Sequence, residues 1–307
     1  MKYAEFVKKS HEYRLMSAEA KNPASGYLLV GKDGVFTEIL YKLFLSEMLG
    51  ISALAVESNA DIEIFEGKFA VADAERIAER AYYTPINLQK KFFVIKCGEN
   101  INEAAQNKLL KILEEPPRST GFILITKEES FLLPTVRSRL KTVRCRPMAE
   151  EDINELCAKY LDNSFVAAAL SGGNIERAEK FSSAEYAELY REVLVMLLNM
   201  KKSGDILSYA SVLNSKREMI LDVLDIIETV LHDCMMCSLG IYDGFILKMS
   251  ISEIKDLSSN YGADTVLKLR PVIDRARKRL TMGGNVASVI DEVLFSILEV
   301  KAKCQKL

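Results

Sequence analysis

Apolar and polar positions change rhythm once along this chain. In the first half, short unbroken apolar runs alternate with helical patterns. Tyr27-Leu28-Leu29-Val30, Phe92-Phe93-Val94-Ile95 and Phe122-Ile123-Leu124-Ile125 are the strongest runs. Ile62-Glu63-Ile64-Phe65 is weaker, and Thr142-Val143-Arg144-Cys145 closes the set. Runs that are apolar at successive positions suit strands buried on both faces. Helical stretches lie between them at 37–49, 73–82 and 103–114. Strands joined by helices need crossover connections, so the pattern predicts a parallel sheet covered on both sides.

Pro147 marks the change. From Glu150 onward the pattern is almost wholly helical, with Ile153, Leu156, Cys157, Tyr160 and Leu161 at helical spacing. Ser171-Gly172-Gly173 breaks the chain and caps a further short helix. Ser182-Ser183 precedes a helix over 184–201 whose stripe is Tyr186, Leu189, Val193, Met196 and Leu197. Further helices are predicted over 216–238, over 264–281 with an interruption or kink at Pro271, and from Val286 to Lys301 after Gly283-Gly284-Asn285. The expected organisation is an α/β domain over 1–148, a small helical domain over 149–183 and a helical bundle over 184–307.

Composition narrows the classes. A chain of 307 residues suits two or three domains, and 49% hydrophobic with 27% charged residues is an ordinary globular balance. A formal charge of −2 argues against a protein that holds nucleic acid by bulk electrostatics. The first residues, Met1-Lys2-Tyr3-Ala4-Glu5-Phe6, carry no signal-peptide core, and no run of about 18 apolar residues predicts a membrane span. Six scattered cysteines read as reduced cytosolic thiols. His232, Cys234 and Cys237 have a metal flavour but lack a second close pair, so they read as core residues and no metal is expected.

The most informative stretch is Asn107-Lys108-Leu109-Leu110-Lys111-Ile112-Leu113-Glu114-Glu115-Pro116-Pro117. Leu109, Leu110 and Leu113 form an apolar stripe and the two prolines stop the helix. The stretch resembles the N-A-L-L-K-x-L-E-E-P-P signature of bacterial clamp-loader AAA+ subunits. Phe122-Ile123-Leu124-Ile125-Thr126 and then Leu132-Leu133-Pro134-Thr135-Val136-Arg137-Ser138-Arg139-Leu140 follow like that family's sensor-1 strand and P-x-x-x-S-R-C motif. Ala81-Tyr82-Tyr83-Thr84-Pro85 and Ser171-Gly172-Gly173-Asn174 are similar to its flanking segments. The resemblance implies an α/β P-loop NTPase-like (AAA+) domain, a helical lid and an all-α collar.

The nucleotide site departs from the family at three places. A phosphate loop needs G-x-x-x-x-G-K-[ST], for backbone approach, positive charge and a metal-binding hydroxyl. Here the segment reads Gly31-Lys32-Asp33-Gly34-Val35-Phe36-Thr37-Glu38. Only Gly31 is in register; Phe36, Thr37 and Glu38 stand where glycine, lysine and the hydroxyl are needed. Lys96 and Cys97 stand where two acids should end the Walker B strand. Glu176 stands where the sensor-2 arginine is expected, with Arg177 one step off, about 100° around the helix. Thr126 keeps the sensor-1 place with no phosphate to sense. A subunit without hydrolysis of its own, and without a cofactor, is the expectation.

Ser138-Arg139 survives. The resemblance implies that Arg139 acts as an arginine finger in trans, on the nucleotide of a neighbouring subunit. It also implies partners: motor tau/gamma and delta-type subunits, the sliding clamp, and primed DNA reached through the complex, in the cytoplasm. Two other classes stay open: an active motor ATPase of the same family, and a stand-alone DNA-binding protein.

Overall fold

The computed structural model describes residues 1–96, 98–243, 245–247 and 251–304, the last range without the side chains of 251–253, 303 and 304. Its contacts divide into two compact units. One is Met1–Leu156 with Gly172–Arg177; the other is Cys157–Ser171 with Ala178–Leu307.

In the first unit, helices α1 (Ala4–Lys9) and α2 (His11–Glu19) lead into strand β1 (Gly26–Val30). Then follow α3 (Gly34–Leu49), β2 (Ile62–Glu66), α4 (Val71–Arg80), β3 (Lys91–Lys96), α5 (Glu103–Glu114), β4 (Thr120–Thr126), the single turn α6 (Pro134–Arg137) and β5 (Lys141–Arg144). The strands form one parallel sheet in the order β2-β3-β4-β1-β5. All five predicted strands are present, each within about two residues of its expected bounds. Cys145, expected within the last strand, lies just outside it.

Both faces of the sheet are covered, as the unbroken apolar runs require. On one face Phe93 and Phe122 stack at 5.7 Å and pack with Ala74 and Ile77 of α4 and Leu109, Ile112 and Leu113 of α5. On the other, Tyr27 meets Phe44 of α3 edge-on at 4.9 Å. Gly121 lies opposite Phe92 in the register, and a Cβ there would come within 2.3 Å of the Phe92 ring. Glycine lets that aromatic ring lie across the neighbouring strand.

Asp61, fully buried beside β2, accepts hydrogen bonds from the backbone N–H groups of Ile86 (2.7 Å), Asn87 (2.6 Å) and Leu88 (2.8 Å). It thereby fixes the loop that feeds β3. Tyr82, Tyr83 and Ile86 stay exposed on the same connection.

α7 (Glu150–Tyr160) begins in the first unit and ends in the second. The second unit holds α8 (Ser164–Ser171), most of α9 (Ile175–Ser182), α10 (Ala184–Asn199), α11 (Ser203–Ser215), α12 (Ile220–Ser238), α13 (Ile251–Ser258), α14 (Ala263–Thr281) and α15 (Val286–Cys304). Ser183 caps α10 by accepting from the Tyr186 N–H. α12 buries residues around most of its girth, including Cys234 and Cys237, while His232 lies 3.1 Å from Asp233. α14 runs through Pro271 without the predicted interruption. A proline removes one ladder hydrogen bond, and Val266, Leu269, Ile273 and Ala276, buried on both sides of it, hold the helix together.

Lys301 is buried, and its ammonium donates to the carbonyls of Met200 (3.0 Å) and Leu197 (3.4 Å) at the C-terminal end of α10. The hydroxyl of Tyr261 donates to the same Leu197 carbonyl at 2.8 Å. A cation at a helix C-terminus is favourable, although burial lowers this lysine's pKa. No helix among the described residues is long and apolar enough to cross a membrane.

Candidate functional site

The segment after β1 turns sharply into α3. Gly31 donates its N–H to the Thr126 carbonyl at 3.0 Å, joining the ends of β1 and β4. A Cβ at Gly31 would sit 2.8 Å from the Cys145 Cβ and 3.2 Å from the Thr37 Cγ2, so the glycine is required by packing alone.

Two carboxylates of the chain itself occupy the first turn of α3. Asp33 is the N-cap; one oxygen accepts from the Phe36 N–H at 2.9 Å and the other from the Ile175 N–H at 2.6 Å. Burial raises the Asp33 pKa, and the N–H groups of Phe36, Ile175 and Glu176 offset part of that rise. The Glu176 carboxylate accepts from the Gly34 N–H at 3.1 Å. A helix N-terminus carries unsatisfied N–H donors and the positive end of the macrodipole, which is why phosphates bind there. Here Asp33 takes up the Phe36 N–H and Glu176 the Gly34 N–H.

The next positions close the site from below. Phe36 is buried in the core. The Thr37 hydroxyl lies 3.0 Å from the Asp33 carbonyl and 3.1 Å from the Gly34 carbonyl, bonded back into its own helix. Glu38 joins a chain of ion pairs: Lys42 binds Glu38 at 2.7 Å and Glu57 at 2.8 Å, and Lys96 binds Glu38 at 3.0 Å and Glu66. Burial alone would raise the Glu38 pKa, but the two lysines hold it below the usual carboxylate range. Lys96 is raised in turn, against the effect of its burial, by Glu66 and Glu38.

These residues border an open cavity of about 490 Å³ that brings together Gly31, Thr37, Glu38, Lys96, Thr126 and Glu176. Thr126 is buried and its hydroxyl donates to the Glu128 carbonyl at 3.0 Å. Cys97 lies outside the described residues. Lys32 points away from a phosphate role, pairing with Glu128 at 3.4 Å while its side chain is 75% exposed.

Sequence reasoning missed two participants, Asp33 and Lys42. Asp33 was legible as a helix cap, since an acid directly before an apolar helical run is a start signal. Glu99 reaches the cavity from the short turn after β3, where its carboxylate accepts from the Lys127 N–H at 2.9 Å. Lys42 was not flagged, although Glu38 four residues earlier is the ordinary spacing of a helical ion pair.

Ser138 and Arg139 belong to a different place on the same unit, just after α6. The Arg139 guanidinium pairs with Glu114 at the end of α5, donates to the Thr135 carbonyl and lies 3.4 Å from the Ser138 hydroxyl. Ser138 donates to the same Thr135 carbonyl at 3.0 Å.

The sequence matches the family described as "DNA polymerase III, delta subunit" over residues 11–149, and the family described as "DNA polymerase III, delta subunit, C terminal" over residues 184–289. The chain belongs to the clamp-loader family of DNA polymerase III subunits. Among the relatives of this clamp-loader chain is the DNA polymerase III subunit delta' of Bacillus subtilis, 24% identical over 74% of this chain and 72% of that protein. The DNA polymerase III subunit gamma of Buchnera aphidicola is 22% identical over 90% of this chain and 89% of its own length. The gamma/tau subunit of Mycobacterium tuberculosis is 30% identical over 37% of this chain. The match spans only 20% of the length of that mycobacterial protein. A crystal structure of a DNA polymerase III gamma subunit-related protein from Thermotoga maritima superposes with a TM-score of 0.50 at 16% identity, covering 94% of this chain and 99% of that one. That likeness places the clamp-loader chain in the P-loop NTPase-like fold.

Proposed function

We propose that this chain is a non-hydrolysing, delta-prime-like subunit of a sliding-clamp loader. The observation that carries the reading is the occupation of the α3 N-terminus by Glu176 and Asp33. With Glu38 in place of the metal-binding hydroxyl, three glutamates, Glu38, Glu99 and Glu176, line the cavity where a triphosphate and its magnesium would lie. Carboxylates there repel phosphate oxygens, and Lys96 is already committed to two glutamates.

In this reading residues 1–148 form the AAA+ domain, 149–183 the lid and 184–307 the oligomerising collar. The chain assembles in the cytoplasm with motor tau/gamma and delta-type subunits, reaches the sliding clamp and primed DNA through them, and extends Arg139, seated next to Ser138, toward the nucleotide of a neighbour. A guanidinium is permanently charged and forked, which suits it to charge developing on a transferred phosphoryl group.

The identity to gamma/tau subunits favours a motor reading, and the residues at 36–38, 96 and 176 oppose it. One experiment separates the two. The chain is mixed with motor and delta-type subunits, and complex mass and DNA-stimulated ATPase are measured. The expected result is a stable complex whose turnover requires the motor subunits, with no turnover by this chain alone. Turnover by the chain alone would select the motor reading, and failure to enter the complex would remove both.

A further inference from the structure

Glu114 is the last residue of α5, where a negative charge opposes the helix macrodipole. Its neighbour Glu115 adds a second acid at the same end. An acidic pair is unfavourable there unless cations compensate it; Lys111 lies in the same last turn, and Arg139 pairs with Glu114 directly. The arginine is held from several sides at once. One terminal nitrogen binds Glu114; the other donates to the Thr135 carbonyl and lies 3.4 Å from the Ser138 hydroxyl. The side chain retains 26% exposure.

We propose that Glu114 is a positioning residue that braces Arg139 for its work in trans. The inference rests on the reading of Arg139 as a trans finger. A free arginine side chain samples many rotamers, and that freedom must be lost before it engages a phosphate. The single contact to Glu114, with the Thr135 carbonyl and Ser138 opposite, removes much of that freedom before assembly. The Glu114 carboxylate takes one N–H of one terminal nitrogen, the other terminal nitrogen faces the Thr135 carbonyl and the Ser138 hydroxyl, and the buried Nε has no partner among the described residues, so the second N–H of the Glu114-bound nitrogen remains for a phosphate. The glutamate of the family-like signature segment thus acquires a task that its helix position alone does not explain: it aligns the arginine 25 residues further on.

The test is made in the reconstituted complex. Glu114→Ala is expected to lower kcat by about 10-fold while KM for ATP stays within about two-fold, because misalignment costs transition-state contacts more than ground-state binding. Glu114→Gln, which keeps an acceptor for the guanidinium, is expected to recover most of the loss. Adding Glu114→Ala to Arg139→Ala is expected to change nothing further, since the two act as one unit. Equal thermal stability of the variants shows that folding is not the cause. If Arg139→Ala lowers kcat and Glu114→Ala leaves it unchanged or raises it, the brace is wrong while the finger stands. If Arg139→Ala itself has no effect, the finger reading fails and the brace with it.

Discussion

Replacing Arg139 by alanine is expected to lower hydrolysis at the neighbouring nucleotide site by about 1,000-fold, the lower end of what arginine fingers contribute. The cause is the loss of a fixed positive charge where negative charge builds on the transferred phosphoryl group. Arg139→Lys should recover little. An ammonium on a flexible stem is a point charge and cannot reproduce the fork held between Glu114 and the Thr135 carbonyl. Single-turnover hydrolysis in the assembled complex reads the effect at the affected site. Assembly itself should be intact, because Arg139 is a partly exposed side chain outside the apolar core. Unchanged single-turnover kinetics in an intact complex would remove the trans role.

Asp61→Ala is expected to destabilise the α/β unit by about 2 kcal/mol. Three backbone N–H groups lose their acceptor. Each orphaned donor costs roughly 1–3 kcal/mol when dry, and water reaching the exposed loop offsets part of the total. For a unit of this size the melting temperature should fall by about 4–8 °C. The same carboxylate gives a signed pH dependence. Burial alone would raise its pKa, but the three N–H groups and the charge of Lys91 pull it below the ordinary value. Its contribution to stability is therefore fully present above about pH 3.9 and is lost as pH falls through the depressed folded value. In Asp61→Asn that part of the acid limb should vanish. Superimposable acid limbs for wild type and Asp61→Asn would contradict the assignment.

The fold was legible where pattern and burial agree. β1, β3 and β4 were readable because each holds four apolar residues in succession, and α5 because Asn102 caps it and Pro116-Pro117 stop it. Elements with thin apolar stripes escaped. α1 and α2 bury only a few apolar side chains, among them Phe6, Val7 and Met16, within charged surroundings. α11 was missed because exposed Leu207 and Val212 blur the stripe of Ile206, Ala210 and Leu213. Pro271 does not divide α14 into two helices, since packing on both sides of it outweighs one lost hydrogen bond.

The site was legible as a set of departures, because a lysine, a hydroxyl or an acid that chemistry demands is absent at a countable position. What replaces them was hidden. Glu176 reads from the sequence as a failed arginine; the fold makes it a carboxylate bonded to the Gly34 N–H, 142 positions earlier in the chain. The Glu114–Arg139 pair was hidden for the same reason, since 25 residues and a strand separate its members. Long-range pairings between side chains leave no periodic trace.

Calorimetric titration of magnesium ATP into the isolated chain tests the central claim most directly. Filled donors at the α3 N-terminus and the glutamates lining the cavity predict no saturable heat up to millimolar nucleotide. Saturable binding in the micromolar range would contradict the account.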